Sequence, residues 1–387
     1  MPVPGTSQPA VTPGPAAAGP LFAIGDSSVG HLGDGQTATD FSSPIQIGSL
    51  FWRMIACGGA NTTNSDGHTV AIRSDGLLFT WGDNSSGQLG NGNTGTDQSS
   101  PVQIGSSSWM MCAAGSATSY AIDINGRLFT WGEGSNGETG QGVTADSNSP
   151  IQVGASSWYS VTAGLANGYA IRIDGLLFAW GSNTAGQIGD GAVVGTTRTS
   201  PVQIGAQTWS VVASHSLVST VAAIRSDGLL FTWGFCGGSG LLGDGTNNGG
   251  VSLVNSKSSP VQIGSSSWKA ISMANGGCMA IRVDNLLFTW GIGASGEIGD
   301  STVVPKSSPV QIGSSQWRYV GGHASRHAID IEGRLFGWGG SNSGQLGQGN
   351  TTGASSPVQV GSSKWLMIAG GTNITFTSFF CIGIKEP

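Results

Sequence analysis

The side chains that could do chemistry are few and scattered. His31, His68, His215, His323 and His327 fall in different stretches, with no spacing that would gather metal ligands, so structural hydrogen bonding is their expected role. Asp34, Asp190, Asp244 and Asp300 each follow a Gly-x-x-Gly element and could in principle offer oxygens to calcium. Asn91, Gln141 and Gln348 take the same position in other copies, so turn capping is expected instead. The serine runs hold no nucleophile elbow leading into a helix, and the glycine-rich loops hold no phosphate-cradling G-x-x-x-x-G-K-[ST]. Cys57, Cys112, Cys236, Cys278 and Cys381 form no C-x-x-C pair and read as small buried hydrophobes. No acid/base or nucleophile constellation emerges, so no enzyme, cofactor or metal is expected.

One charge pattern recurs. Arg73, Arg172, Arg225 and Arg282 share a position; in two further copies it holds Asp123 or Asp330, with Arg127 or Arg334 four residues on. The aspartate–arginine copies are expected to form ion pairs as diagonal neighbours across a hairpin. The other four arginines are expected to face a neighbouring unit or a partner.

Bulk composition narrows the classes. Glycine makes up 66 of 387 residues, and charged residues only 9% against a usual ~25%. The net charge of −6 leaves no basic stripe for nucleic acid and no attraction to anionic membranes. No run approaches the ~20 apolar residues of a membrane span, and the N-terminus lacks the pattern of a secretory signal. A cytoplasmic location, or release by lysis within a virion, is therefore expected.

Four landmarks repeat along the chain. Leu-Phe-x-Trp-Gly stands at 78–82, 128–132, 177–181, 230–234, 287–291 and 335–339, with Leu21-Phe22-Ala23-Ile24-Gly25 as an opening variant. A Gly-x-x-Gly follows each, as in Gly87-Gln88-Leu89-Gly90. Ser-Pro-(Val/Ile)-Gln-(Ile/Val)-Gly recurs with its proline at Pro44, Pro101, Pro150, Pro201, Pro260, Pro309 and Pro357. A lone tryptophan comes next: Trp52, Trp109, Trp158, Trp209, Trp268, Trp317 and Trp365. With Trp81, Trp131, Trp180, Trp233, Trp290 and Trp338 of the Trp-Gly element, these account for all 13 tryptophans, so every one has a structural repeat slot.

The lone tryptophans are spaced by 48 to 59 residues, and turn signals fall within each interval, which marks an all-β repeat. Each unit reads as four short strands, with Asp75-Gly76 as the turn of a two-residue type I′ hairpin. Asn125-Gly126, Asp174-Gly175, Asp227-Gly228 and Glu332-Gly333 repeat that turn; Asp284-Asn285 relies on asparagine to adopt φ > 0. Seven such units bury their faces only by stacking radially, as a seven-bladed β-propeller. Six blades are expected to be continuous, over 52–104, 109–153, 158–204, 209–263, 268–312 and 317–360. The seventh is expected to be shared, residues 365–384 pairing with 21–47, so that N- and C-terminal strands close the ring and no raw sheet edge remains.

Ala71-Ile72-Arg73-Ser74-Asp75-Gly76, then Trp81-Gly82, then Gly87-Gln88-Leu89-Gly90 resemble the blade of the RCC1 repeat family. The resemblance extends over about 21–384 and implies the propeller fold with four-stranded blades. The family includes a nucleotide-exchange factor for a small nuclear GTPase, ubiquitin-ligase-associated propellers, a plant ultraviolet photoreceptor, and many bacterial and viral proteins. Its Gly-x-x-His-Thr element stands here near Gly67-His68-Thr69, with Tyr120, Tyr169, Met279 and His327 read in the histidine slot of other copies. No charged insertion resembles the exchange factor's wedge, and no surplus tryptophans resemble the photoreceptor's cluster.

Residues 1–20, with Pro2, Pro4, Pro9, Pro13, Pro15 and Pro20, form an arm rich in Pro, Gly and Ala outside the propeller of 21–387. Such composition favours polyproline II or disorder, and the arm is expected to contact another subunit or the propeller itself. The functional expectation is a non-enzymatic interaction and assembly module: a structural or host-recognition component of a bacteriophage virion, tail- or fibre-associated, anchored by the arm. Its expected partners are other protein subunits, with a host-surface receptor or glycan beyond them, and neither nucleic acid nor inserted membrane. The alternatives are an exchange-factor-like regulator of a small GTPase and a glycan-binding, lectin-like propeller.

Overall fold

The computed structural model describes residues 17–387 except 38–39, 60–66, 193, 216–217, 248–254, 275, 323–324 and 373–378. Among them the regular structure is entirely β: 23 strands in antiparallel pairs. One repeat shows the pattern. Trp109–Ala114 pairs with Thr118–Asp123, which pairs with Leu128–Gly132, which pairs with Ser147–Gln152. The second and third strands read as near-continuous apolar runs because both of their faces are covered. Every residue of Thr118–Asp123 and of Leu78–Gly82 is buried. The outermost strand alternates half-buried and exposed residues and begins before a proline, as suits an edge.

The hairpin between second and third strands is not the two-residue turn expected from Asp75-Gly76. Arg73 and Leu77 face each other through the Arg73 N–H to Leu77 carbonyl bond (2.9 Å), and the Gly76 N–H donates to the Arg73 carbonyl (2.9 Å). The loop is therefore Ser74-Asp75-Gly76, a turn closed by a glycine at φ 91°. Asn285 takes that glycine's place at φ 71°, as its tolerance of the left-handed region predicts. In consequence Asp123 and Arg127 are directly opposed rather than diagonal.

A second difference concerns strand length. Outermost and following innermost strands were read as separate, yet Phe41–Gly58, Arg198–His215, Lys257–Ala274, Lys306–Gly322 and Ala354–Thr372 each run through both. The bend falls at the Gly after the Ser-Pro-x-Gln-x element, where Gly205 and Gly264 have φ of 63° and 60°.

The seven innermost strands, each opening on a lone tryptophan, touch one another in succession, and the last (from Trp365) touches the first (from Trp52). One blade is built from both ends of the chain. Phe379–Lys385 pairs with the second half of Ala354–Thr372 on one side and with Gly19–Gly25 on the other. Gly19–Gly25 then pairs with the first half of Phe41–Gly58. Pro20, assigned to the arm on sequence, sits in this strand opposite Phe51.

Blades are joined by tryptophan. The Nε1–H of each Trp-Gly tryptophan donates to the second residue of the preceding blade's Gly-x-x-Gly: Trp81 to His31 (2.8 Å), Trp131 to Gln88 (2.8 Å), Trp180 to Glu138 (2.7 Å), Trp233 to Gln187 (2.9 Å), Trp290 to Leu241 (3.0 Å) and Trp338 to Glu297 (3.0 Å). All six rings are fully buried. The element's last glycine is required by this approach. A Cβ on Gly90 (φ 70°) would stand 2.6 Å from the Trp131 indole nitrogen. At the seventh junction Ile24 replaces the tryptophan, lying beside Gly347 with Val360.

Candidate functional site

Antiparallel order puts the starts of first and third strands and the ends of second and outermost strands on one face. Every second-to-third hairpin tip therefore projects there, as do the start of Gly19–Gly25 and the end of Phe379–Lys385. The tip residue after the arginine or aspartate position is apolar in four blades: Ile124, Ile173, Val283 and Ile331, exposed by 64, 70, 58 and 50%. Leu50 and Phe51 add a further apolar pair on the same face, with the Phe51 carbonyl accepting from Ser74 of the first tip. Sequence reading passed over these residues. The signal was an isoleucine or valine inside an otherwise polar turn, where a serine suffices at Ser74 and Ser226.

The charges beneath the tips are neutralised in place. Asp123–Arg127 and Asp330–Arg334 pair as expected, at 2.5 and 2.6 Å. Arg73, Arg172, Arg225 and Arg282, expected to face a neighbour or partner, instead grip Asp75, Asp174, Asp227 and Asp284 of their own turns at 2.6–2.7 Å. Each guanidinium also lies 4.8–5.0 Å from the centre of its blade's Phe ring, so a bidentate pair and a ring hold it within its own blade.

On the opposite face the Gly-x-x-Gly loops are closed by side chains. Asp34, Asp190, Asp244 and Asp300 accept backbone N–H groups two residues on, which is turn capping; Asp190 and Asp300 also pair with Arg198 and Lys306. Among the described residues no cluster of three or more His, Cys, Asp or Glu could hold a metal.

The described histidines, His31, His68, His215 and His327, are buried. His31 lies against Asp26 and stacks on Phe380 at 4.1 Å. Burial tends to raise the Asp26 carboxyl, but hydrogen bonds from His31 and Ser28 prevail and hold it well below its usual range. His68 reaches Ser119 of the next blade at 2.9 Å, and burial pushes it down to about 3. His327 is likewise pushed down to about 4 by burial, partly offset by the Gln345 carbonyl. The strand registers separate the two: His68 pairs with Gly82, as Thr118 does with Gly132, whereas His327 shares the slot of Tyr120 and Tyr169 two positions on. The sequence alignment of that slot is thus corrected. His323 lies outside the described residues, and His215 is buried.

Glu138 stands in the slot of Gln88, Gln187 and Gln345, taking a backbone N–H on one oxygen as they do. Burial pushes its carboxyl up to about 7. Arg326 is fully buried, and that burial lowers it to about 10. Cys112, Cys236, Cys278 and Cys381 are buried, and Cys57 is half-buried.

The seven lone tryptophans behave differently from the six above. Their rings meet the Phe of the third strand edge-on, Trp158–Phe178 at 5.3 Å and Trp209–Phe231 at 5.3 Å. The Nε1–H groups of Trp52, Trp109, Trp158, Trp209, Trp268, Trp317 and Trp365 are all buried without a hydrogen-bond partner among the described residues. Four of these rings line clefts between the outermost strands of adjacent blades, of about 360 Å³ (Trp158), 310 Å³ (Trp209), 710 Å³ (Trp268) and 300 Å³ (Trp365). Of the arm prolines, Pro2, Pro4, Pro9, Pro13 and Pro15 lie outside the described residues; Pro20 is half-buried.

Comparison with known proteins agrees with this architecture. The Regulator of chromosome condensation (RCC1) repeat is matched at residues 75–122 and 332–377. A human protein described as "Probable E3 ubiquitin-protein ligase HERC6" is 34% identical over 112 residues, 27% of this chain and 10% of that protein, so the chain spans about a tenth of this curated relative. Human WBSCR16 superposes with a TM-score of 0.80 at 18% identity, over 95% of this chain and 100% of that one. Yeast RCC1 (Prp20), solved bound to Kap60, gives 0.80 at 18% identity over 96% and 90%. At such identities the likeness carries the fold alone. No helix of the described residues is long and apolar enough to cross a membrane. With the repeat matched in two places and the ring superposing, the chain carries RCC1 repeats and has the RCC1-like β-propeller fold.

Proposed function

We propose that the chain is a non-catalytic interaction module whose hairpin face docks a protein partner. The observation that carries this is the set of exposed apolar tips at Ile124, Ile173, Val283 and Ile331, with Leu50 and Phe51, above ion pairs that are already satisfied. Exposed apolar groups over neutralised charge offer burial at little desolvation cost, which suits a protein surface rather than an ionic ligand. Chemistry has no corresponding support: the buried histidines and cysteines are packing groups, each tied up or shielded from solvent.

The narrower expectation of a virion component anchored by residues 1–20 draws no support from the relatives. The exchange-factor alternative rests on the fold alone. The yeast relative's description names binding to Gsp1p and histones, and those are properties of that protein.

The test is comparative capture from cells that express the chain. The variant Ile124→Glu/Ile173→Glu/Val283→Glu/Ile331→Glu should lose a defined protein partner that the wild type and Gln141→Ala, altered only at a cleft, both retain. Capture unchanged by the tip substitutions would refute the assignment. A labelled-nucleotide loading assay on a small GTPase separates the exchange-factor alternative.

A further inference from the structure

The slot opposite the lone tryptophan carries a charge in all seven blades. It holds Arg73, Arg172, Arg225 and Arg282 in four, Asp123 and Asp330 in two, and in the seventh Lys385, which faces Trp365. Six of these charges are neutralised within their own blade: the arginines by an aspartate two residues on, the aspartates by an arginine four residues on. Lys385 differs. Pro387 stands two residues on, where the arginine copies have aspartate. Pro20 stands before Leu21 on the facing strand, where Arg127 and Arg334 stand before Leu128 and Leu335. The adjacent Glu386 pairs with Arg318 of the preceding blade, at 2.8 Å.

Lys385 keeps half of the arrangement. Its ammonium lies 3.6 Å from the centre of the Phe22 ring and 4.9 Å from that of Trp365, much as the four arginines lie over the Phe rings of their own blades. What it lacks is an oxygen: among the described residues it has neither an ion pair nor a hydrogen bond. The side chain is half-buried, so one side stays open to solvent. Beside it lies the cleft of about 300 Å³ at Trp365, whose walls include Ser43 and Ser363 and no carboxylate. Lys257 is placed otherwise, because Asp244 shares its cleft at Trp268. Burial lowers the pKa of the Lys385 ammonium, a direction that a carboxylate at hydrogen-bond range would reverse.

We propose that Lys385 and the cleft beside it form a carboxylate site, filled by an aspartate, a glutamate or a C-terminal carboxylate of the protein docked on the hairpin face. This rests on the docking reading above and adds to it the chemistry of one contact. The other copies show what the slot accepts: in four of them a carboxylate grips the cation above the ring. A single ammonium suits a singly charged anion, whereas a phosphate group is better met by several cations or a planar guanidinium. The position suits a docked protein. The exposed Phe51 lies one strand away, opposite Pro20, so an acidic residue flanking an apolar segment would meet both. The apolar tips repeat around the ring and leave its rotational setting open; one charge pair at one blade fixes that register.

The experiment has two arms. In the first, the lysines of the full chain carry ¹³C at Cε, and sodium acetate is titrated against sodium chloride and sodium sulfate at matched ionic strength. The lysines are Lys257, Lys269, Lys306, Lys364 and Lys385, few enough to resolve, and the exposed Lys364 reports the bulk ion atmosphere. A saturable shift at Lys385 is expected with acetate alone, while Lys364 moves no further than it does in chloride. In the second arm, Lys385→Met keeps an unbranched stem on the rings and removes the charge. It should weaken capture of the protein partner about tenfold, and Lys385→Arg, the residue of four other copies, should restore it. No acetate-specific shift at Lys385, or an equal one with sulfate, overturns the carboxylate site. Capture lost on substituting the tips yet unchanged in Lys385→Met overturns the assignment to the partner's carboxylate and leaves the docking face standing. Capture unchanged by the tip substitutions refutes the docking face itself, and the acetate titration decides the site without it.

Discussion

Six blade junctions and the seventh make the instructive contrast. At six, a buried indole drives into the preceding blade's loop and hands its N–H to a carbonyl. At the seventh, Ile24 fills the space with aliphatic surface and has no donor, and it belongs to a strand from the chain's N-terminal end. The ring is thus stapled at six junctions and clasped by aliphatic packing at the seventh, where the third strand comes from the N-terminal end of the chain. Local stability should follow that division, since terminal strands with fewer specific contacts open first.

The largest break should come at a staple. Trp233→Ala removes a fully buried ring and its hydrogen bond, and is expected to cost about 3–5 kcal/mol in guanidinium unfolding. Ile24→Ala, at the clasp, should cost about 2–4 kcal/mol. A clasp substitution more damaging than the staple substitution would reverse the ranking.

The next effect is a pH dependence at the Trp180 staple, which lands on Glu138. Its carboxyl shifts from 4.5 to about 7 on folding, because burial disfavours the charge. The folded state holds the proton more tightly, so stability is full below pH 4.5 and falls as pH rises towards 7. Glu138→Gln restores the residue of Gln88 and Gln187. It should therefore stabilise by on the order of 1–3 kcal/mol above pH 7 and change nothing below pH 4.5. Thermal unfolding across that range would show it; an unchanged slope would mean the carboxyl is not stressed.

Acid should act oppositely through His68 and His327. Both are held below the usual 6.5, so stability present above pH 6.5 is lost as pH falls towards their folded values of about 3 and 4. The smallest effect belongs to the tips: Arg225→Ala, losing an exposed pair with Asp227 and a ring contact, should cost less than about 1 kcal/mol.

The staples and the clasp differ in how plainly the sequence announces them. Trp-Gly and Gly-x-x-Gly recur at fixed places, and the truncated element at 21–25 has its complement at the other end, so the all-β propeller can be read from the sequence. The turn type could not be read from Asp-Gly alone, because the same dipeptide serves a three-residue loop when the preceding Arg73 closes on Leu77. The arginines were misassigned for the same reason: a partner two residues away becomes reachable only in that loop. His68 and His327 were aligned by residue type, and two positions of register divided them. The apolar tips and orphan indoles escaped notice because exposure and partner geometry belong to the folded ring.

The most direct measurement is native-state hydrogen exchange resolved by residue. The account predicts that the amides of Leu21–Gly25 and Phe380–Ile384 exchange through a partial opening, at a free energy clearly below that of Tyr169–Ile171 and Leu177–Trp180 in a stapled blade. Equal protection in the two regions, both at the level of global unfolding, would contradict it.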